Sequence, residues 1–251
     1  MTVHFVGAGP GAADLITVRA ARLLERCDTL VYAGSLVSDE VLALVPARAE
    51  RHDSASMTLE QIVEVMTRAA AEGKLVVRLH SGDPSLYGAI REQMIELDKR
   101  GVSYDVTPGV SSFQAAAAAL KTELTAPEIS QTVILTRAAG RTPVPAGQEL
   151  AALAASKATL CVFLSVDKIA SVVDELAPAY GAQCPAAVVY RASWPDEAVI
   201  RGTLADIAAK TRGANVNRTG MIVVGWALDK QVETASRLYA GDFAHGYRRE
   251  G

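Results

Sequence analysis

The residues able to do chemistry in this chain are gathered in three small-residue turns rather than in charged clusters. Gly7-Ala8-Gly9-Pro10-Gly11 follows the apolar run Val3-His4-Phe5-Val6. Ser81-Gly82-Asp83-Pro84 breaks off the run Leu75-Val76-Val77-Arg78-Leu79-His80. Thr107-Pro108-Gly109-Val110-Ser111-Ser112 comes directly after Tyr104-Asp105-Val106. Glycine admits unusual φ and lets another backbone or a ligand come close, while proline fixes φ. Such turns at the carboxyl ends of parallel strands are where open α/β sheets bind ligands. Taken singly, each is explained as a strand-to-helix connection, and Ser111 or Ser112 as a helix cap. Three of them on one rim point to a ligand cleft.

The nature of that ligand is narrowed by exclusion. Gly7, Gly9 and Ala12 satisfy the Gly-x-Gly-x-x-Gly/Ala spacing only formally. The dinucleotide fingerprint needs a helix opening on the glycines and an acid after the next strand. Here Pro10 interrupts the turn and helical periodicity begins near Thr17; the strand Thr29-Leu30-Val31-Tyr32-Ala33 ends in Gly34-Ser35 without a carboxylate. A nicotinamide site is therefore disfavoured. No Gly-x-Ser-x-Gly elbow, His-x-x-x-His pair or P-loop is present. Cys27, Cys161 and Cys184 are far apart and odd in number, which argues against a metal site or disulfide framework and for a reducing compartment.

The elements that must position these turns read as two halves. Strands are expected near 3–7, 29–33, 75–80 and 103–107, with helices near 17–26, 58–71, 88–100 and 111–120. That alternation implies a mainly parallel sheet with crossover helices. The second half has strands at 131–136, 158–164, 186–191, 197–202 and 220–226, too close together in places for helices between them, so a mixed sheet is expected. The fold class is α/β in two domains, 1–122 and 123–251, with the junction near 120–128. Gly140–Gly147 reads as a loop, and the segment after Gly241 lacks periodicity. Half the residues are hydrophobic, and 25 basic against 28 acidic residues give a net charge of −3, which speaks against a nucleic-acid surface. No apolar run approaches a membrane span, and the first strand at Val3 leaves no signal peptide ahead of it. A cytoplasmic protein is expected.

Val6-Gly7-Ala8-Gly9-Pro10-Gly11 with Asp14-Leu15-Ile16-Thr17, then Ser81-Gly82-Asp83-Pro84 and Pro108-Gly109-Val110-Ser111-Ser112, resemble the loops of the tetrapyrrole (corrin/porphyrin) methyltransferases. Cys161–Ser165, Val188–Ser193, Arg201–Leu204 and Met221–Gly225 continue the resemblance through the second half. Ser81–Gly88, Thr136-Arg137 with Gly140–Pro143, and Tyr190–Glu197 most resemble the branch that methylates a corrin precursor of cobalamin synthesis. The enzymes acting at C-20 or C-1/C-7 usually have Gly-Gly-Asp-Pro in place of Ser81-Gly82-Asp83-Pro84.

The resemblance implies S-adenosylmethionine as methyl donor, a site in the cleft between the domains, and a homodimer. It assigns the cofactor to Pro10, Ser81, Gly82, Asp83 and Leu86, with Ser111 and Ser112 beside them and Leu164 and Ala192 from the second domain. Asp83 either caps its own loop or faces the cofactor's amino group or sulfonium. A carboxylate-rich tetrapyrrole calls for cations, and Arg137, Arg141 and Arg191 stand at or beyond strand ends. Tyr87 and Tyr190 are candidates to pack on the macrocycle or to serve as proton-transfer groups. His80, ending a buried strand, is expected to be structural and hydrogen-bonded, His4 and His52 incidental. No residue is singled out as proton acceptor, and no metal is expected. Methyl transfer from a sulfonium asks mainly for alignment and exclusion of water. A macromolecular methyltransferase, a nicotinamide oxidoreductase and a binding module are the other readings weighed.

Overall fold

The computed structural model describes residues 2–231 and Ser236. The segment after Gly241 lies outside the described residues. Among those described, one compact unit gathers the chain up to Ala119 together with Arg191–Ala198. The other holds Leu120–Tyr190 and the residues from Val199 onward. Residues 191–198, which the sequence suggested for the second domain, thus pack with the first.

The first unit is built on β1 (Thr2–Gly7), β2 (Thr29–Tyr32), β3 (Glu50–Asp53), β4 (Val76–His80) and β5 (Ser103–Thr107), in the order β3-β2-β4-β1-β5. Every pairing is parallel. The register sets Gly7 opposite His80 and Val6 opposite Thr107, so the three glycine turns leave adjacent strands at one rim. Parallel strands covered on both faces read as continuous apolar runs; β4 is buried along its whole length. On one face Val6, Leu30, Val77 and Leu79 pack with Ala20 and Leu24 of α1 (Val18–Leu24) and Val41 of α2 (Asp39–Leu42). On the other, Val3, Phe5, Val31 and Val76 meet Ile62, Val63 and Met66 of α3 (Leu59–Ala71) and Leu97 of α4 (Arg91–Lys99). Each fully buried side chain of this kind contributes about 1.5–3 kcal/mol.

Local signals explain the helix ends. Thr17 accepts from the Ala20 N–H, and Thr58 and Gln61 form a reciprocal capping box at the start of α3. α4 starts at Arg91, three residues later than the periodicity suggests, because Tyr87 and Ala89 take left-handed φ of 56° and 50°. β3 carries no apolar pattern; its Glu-Arg-His-Asp sequence suits an exposed sheet edge.

The second unit has β6 (Val133–Arg137), β7 (Thr159–Phe163), β8 (Pro185–Tyr190), β9 (Ala198–Thr203) and β10 (Gly220–Val224) in the order β6-β7-β10-β8-β9. β6 and β7 are parallel, while β10 runs antiparallel to β7 and β8. The mixed sheet expected from its close strand spacing is therefore found. Its core joins Leu160, Val162, Val188, Ile222 and Val224 to Ile169, Val172 and Leu176 of α7 (Ile169–Tyr180). α5 (Ser112–Leu120), α6 (Leu150–Ala154) and α8 (Ile207–Gly213) complete the α-helices among the described residues.

Candidate functional site

The three turns at the rim of the parallel sheet interlock backbone to backbone. The Ala8 N–H donates to the His80 carbonyl at 2.7 Å, and Gly9 and Gly82 exchange hydrogen bonds at 3.3 and 2.8 Å. A Cβ on Gly7 would stand 2.6 Å from both the Gly109 Cα and the Gly82 carbonyl oxygen. One on Gly109 would stand 2.1 Å from that same oxygen. Neither position admits a side chain, because the obstructing atoms are backbone. Gly82 differs. Its φ of +63° favours glycine, yet a Cβ there would meet nothing nearer than 3.7 Å. Gly82 is buried, and a Cβ there would rest in ordinary contact with Ser111 and Ser112, so the second turn lies against the third without the collision seen at Gly7 and Gly109.

Asp83 ties the second turn to the third. Its Oδ2 accepts the Gly109 N–H at 2.9 Å, and its Oδ1 accepts the Ser85 N–H at 2.8 Å and the Ser85 hydroxyl. Burial acts to raise its pKa, but these hydrogen bonds outweigh it and hold the carboxyl below the usual range. Of the two roles open to Asp83, local capping is the one its observed bonds serve. Ser111 is buried at the mouth of α5; its carbonyl accepts from Gln114 and Ala115, and its N–H donates to the Gln114 side chain. Leu86 closes the same loop, its N–H donating to the Asp83 carbonyl.

The first turn is braced by the segment that rejoins this unit. Trp194 donates its indole N–H to the Pro10 carbonyl at 2.8 Å, and the Ser193 hydroxyl accepts the Ala12 N–H at 3.1 Å. Ser38 donates to the Gly11 carbonyl at 2.6 Å. Arg191 lies 4.0 Å over the Trp194 ring and pairs with Asp196 at 2.6 Å. Ala192 is buried, 6% exposed, within the same brace.

In the second unit, Leu164 follows β7 with 72% of its surface exposed and a φ of 53°. An apolar side chain held outward on left-handed backbone is a costly arrangement that marks functional positions more often than packing positions. Arg137 donates to the carbonyls of Ala138, Thr142 and Pro143, so its guanidinium shapes the 138–143 loop. Arg141 is exposed on that loop. Tyr87 is 44% exposed in the first unit.

Residues 2–208 match the family of Tetrapyrrole (Corrin/Porphyrin) Methylases. The chain is a tetrapyrrole methylase. It is 53% identical to the precorrin-4 C(11)-methyltransferase of Mycobacterium tuberculosis over 242 residues, 96% of each chain. The cobalt-precorrin-4 C(11)-methyltransferase of Methanocaldococcus jannaschii is 49% identical over 248 residues, covering 98% of this chain and 96% of that one. Among solved structures, a cobalt precorrin-4 methyltransferase superposes with a TM-score of 0.89 at 46% identity, covering 91% of this chain and 96% of the other. The uroporphyrin-III C-methyltransferase of Thermus thermophilus, complexed with S-adenosylhomocysteine, gives 0.77 at 28% identity, with 93% and 96% covered.

Two features of this methylase escaped the sequence. Trp194 was visible only as part of a motif; nothing local distinguishes it from a surface tryptophan, and its partner lies 184 residues away. The second is a buried pair on β4. Arg78, 5% exposed, donates to Gln93 Oε1 at 3.0 Å and, more weakly, to the Val31 and Leu79 carbonyls at 3.4 Å. His80, 4% exposed, has no partner for its Nε2 among the described residues. The sequence suggested a hydrogen-bonded histidine; the ring instead lies 6.0 Å from Phe5, between centroids. Burial, and then the neighbouring Arg78, push its pKa down to about 3.

Proposed function

We propose that this tetrapyrrole methylase transfers the methyl group of S-adenosylmethionine to C-11 of precorrin-4, yielding precorrin-5 in cobalamin biosynthesis. The observation that carries the reading is the meeting of three interlocked glycine turns at one rim of the parallel sheet, where such sheets bind ligands. The near-full-length likeness to two C(11)-methyltransferases supports the ring position. Pro10, Ser81, Gly82, Leu86, Ser111, Ser112 and Ala192 are the proposed cofactor contacts of the first unit, with Asp83 holding their loops in register. Leu164 is the proposed contact of the second unit.

The chemistry asks for little else. When bound, S-adenosylmethionine would supply a methyl group on a positively charged sulfur that departs as a neutral thioether, while the substrate carbon takes the methyl in line and the substrate releases a proton. Holding both reactants aligned is worth roughly 7–11 kcal/mol, which needs no covalent nucleophile. Arg141 is the exposed cation proposed to meet the substrate's carboxylates. Arg137 and Arg191 are engaged within the chain and would act through the loops they shape. Tyr87 is proposed to pack on the macrocycle, and the working form to be a cytoplasmic homodimer.

Incubation with S-adenosylmethionine and either precorrin-4 or its cobalt complex, followed by mass and NMR analysis of the product, tests the reading. A methyl on C-11 is expected; methylation at C-20, C-1 or C-7 would replace the assignment. Gly82→Val should abolish binding of S-adenosylhomocysteine in calorimetry while the protein stays folded. Normal binding by that variant would reduce the turn to a structural connection.

A further inference from the structure

The first turn is the least self-supporting of the three. Pro10 has no N–H to donate, Gly9 takes a φ of +76°, and Gly11 contributes no side chain. Beside the Ser38 hydroxyl on the Gly11 carbonyl, it is the 191–197 segment that holds its Pro10–Gly11 end. A Cβ on Gly11 would lie 2.2 Å from Cδ1 and 2.3 Å from Nε1 of Trp194, so the indole rests directly on the glycine. The same ring donates to the Pro10 carbonyl at 2.8 Å. Its other contact is the Arg191 guanidinium, 4.0 Å from the ring centroid and fixed by Asp196 at 2.6 Å. Arg191 and Ser193 take left-handed φ of 45° and 70°, and the Ser193 N–H donates to Glu197 at 2.7 Å. Strained backbone just ahead of Trp194, over-determined by polar contacts, aims one side chain at one turn.

The geometry points to Trp194 as a positioning residue for cofactor binding: it sets the Pro10–Gly11 turn through its indole N–H and ring plane without contacting the ligand itself. The inference rests on the reading of Pro10 and Gly82 as the S-adenosylmethionine site. Arg191 and Asp196 then belong to the same device, a stacked cation pinned by a carboxylate that keeps the indole flat. A guanidinium over an indole is among the favourable cation–π arrangements. This assigns Arg191 to the cofactor turn rather than to substrate carboxylates.

Trp194→Phe keeps an aromatic face against Gly11 and beneath Arg191 while removing the N–H. S-adenosylhomocysteine affinity should fall about fivefold, the worth of one neutral hydrogen bond. KM for S-adenosylmethionine should rise in step, with kcat and the tetrapyrrole KM unchanged. Gly11→Ala presses the same turn from the other side and should lose at least as much affinity. Combining it with Trp194→Ala should recover part of that loss by removing the collision. A structural role alone would lower the melting temperature of these variants and leave the affinity of the folded protein untouched; that result overturns the inference, as does equal affinity of Gly11→Ala with and without Trp194→Ala. Wild-type protein that fails to bind S-adenosylhomocysteine would instead defeat the cofactor reading on which this rests.

Discussion

His80 should make this protein acid-sensitive in a pH window that no carboxylate explains. The perturbation is protonation of an imidazole with 4% exposure, beside the buried Arg78 cation and with no partner for Nε2 among the described residues. In the unfolded chain the ring titrates at its usual 6.5, whereas in the fold it is held at about 3. Between those values the unfolded state binds a proton that the native state refuses, so stability rises with pH there and falls on acidification. The slope is about 1.4 kcal/mol per pH unit at its steepest, and from about pH 7.5 to about pH 4.5 the loss comes to about 2.6 kcal/mol. The lowered carboxyl groups of Asp83 and Asp206, from 3.8, and of the exposed Glu60, Glu72 and Glu96, from 4.5, also lose stability on acidification, but only as the pH falls to and below those values, at the acid end of the window. Urea unfolding followed by circular dichroism at half-unit steps measures the curve directly. His80→Gln supplies the control, because an uncharged side chain at the same place cannot titrate. A flat wild-type curve over this window would refute the argument, and so would an equal slope in His80→Gln.

The glycine turns make a second, steric forecast: Gly109→Ala should cost about 3–5 kcal/mol, through overpacking against the Gly82 carbonyl and loss of the Asp83 bond. Gly82→Ala, whose Cβ would meet ordinary contacts no nearer than 3.7 Å but on left-handed φ, should cost only about 1–2 kcal/mol; equal urea midpoints for the two would contradict the packing described. At high pH, burial holds the thiols of Cys27 at about 11 and of Cys161 and Cys184 at about 12. Their folded pKa values lie above the unfolded 9.0, so this contribution is intact below 9.0 and is lost as pH rises above it. Replacing Cys161 with alanine should flatten part of that alkaline decline in thermal melts.

How far the sequence reached depended on whether a feature is local. β1, β2 and β4 are legible because burial on both faces demands unbroken apolar runs. β3 is not: Glu50-Arg51-His52-Asp53 becomes a strand only by pairing with β2, and Glu50 there gathers His52, Arg68 and Lys74 around it. The rim was legible as glycine turns, yet only the register of β4, β1 and β5 reveals which glycines touch each other. Leu164 read alone resembled a core residue at the end of an apolar strand; the left-handed backbone that turns it outward leaves no mark in composition. The direction of a charged side chain is equally silent. Arg191 and Arg137 carried the right charge at the right ends of strands, but their partners, Asp196 and three loop carbonyls, are choices of the folded backbone.

The brace on the first turn has a consequence for how the protein comes into being. Pro10 is made before Trp194, which follows 184 positions later. At roughly 5–20 residues per second, synthesis puts roughly 10–40 s between the two. The strands of the parallel sheet are all present by Thr107 and can assemble during that delay, but the Pro10–Gly11 turn has to wait for a segment made after most of the second unit. A nascent chain halted near Ala119 would therefore hold a complete sheet with an unfinished rim. Binding competence arrives as a late event of translation, and a gene truncated at the apparent domain boundary would encode a scaffold without its clasp.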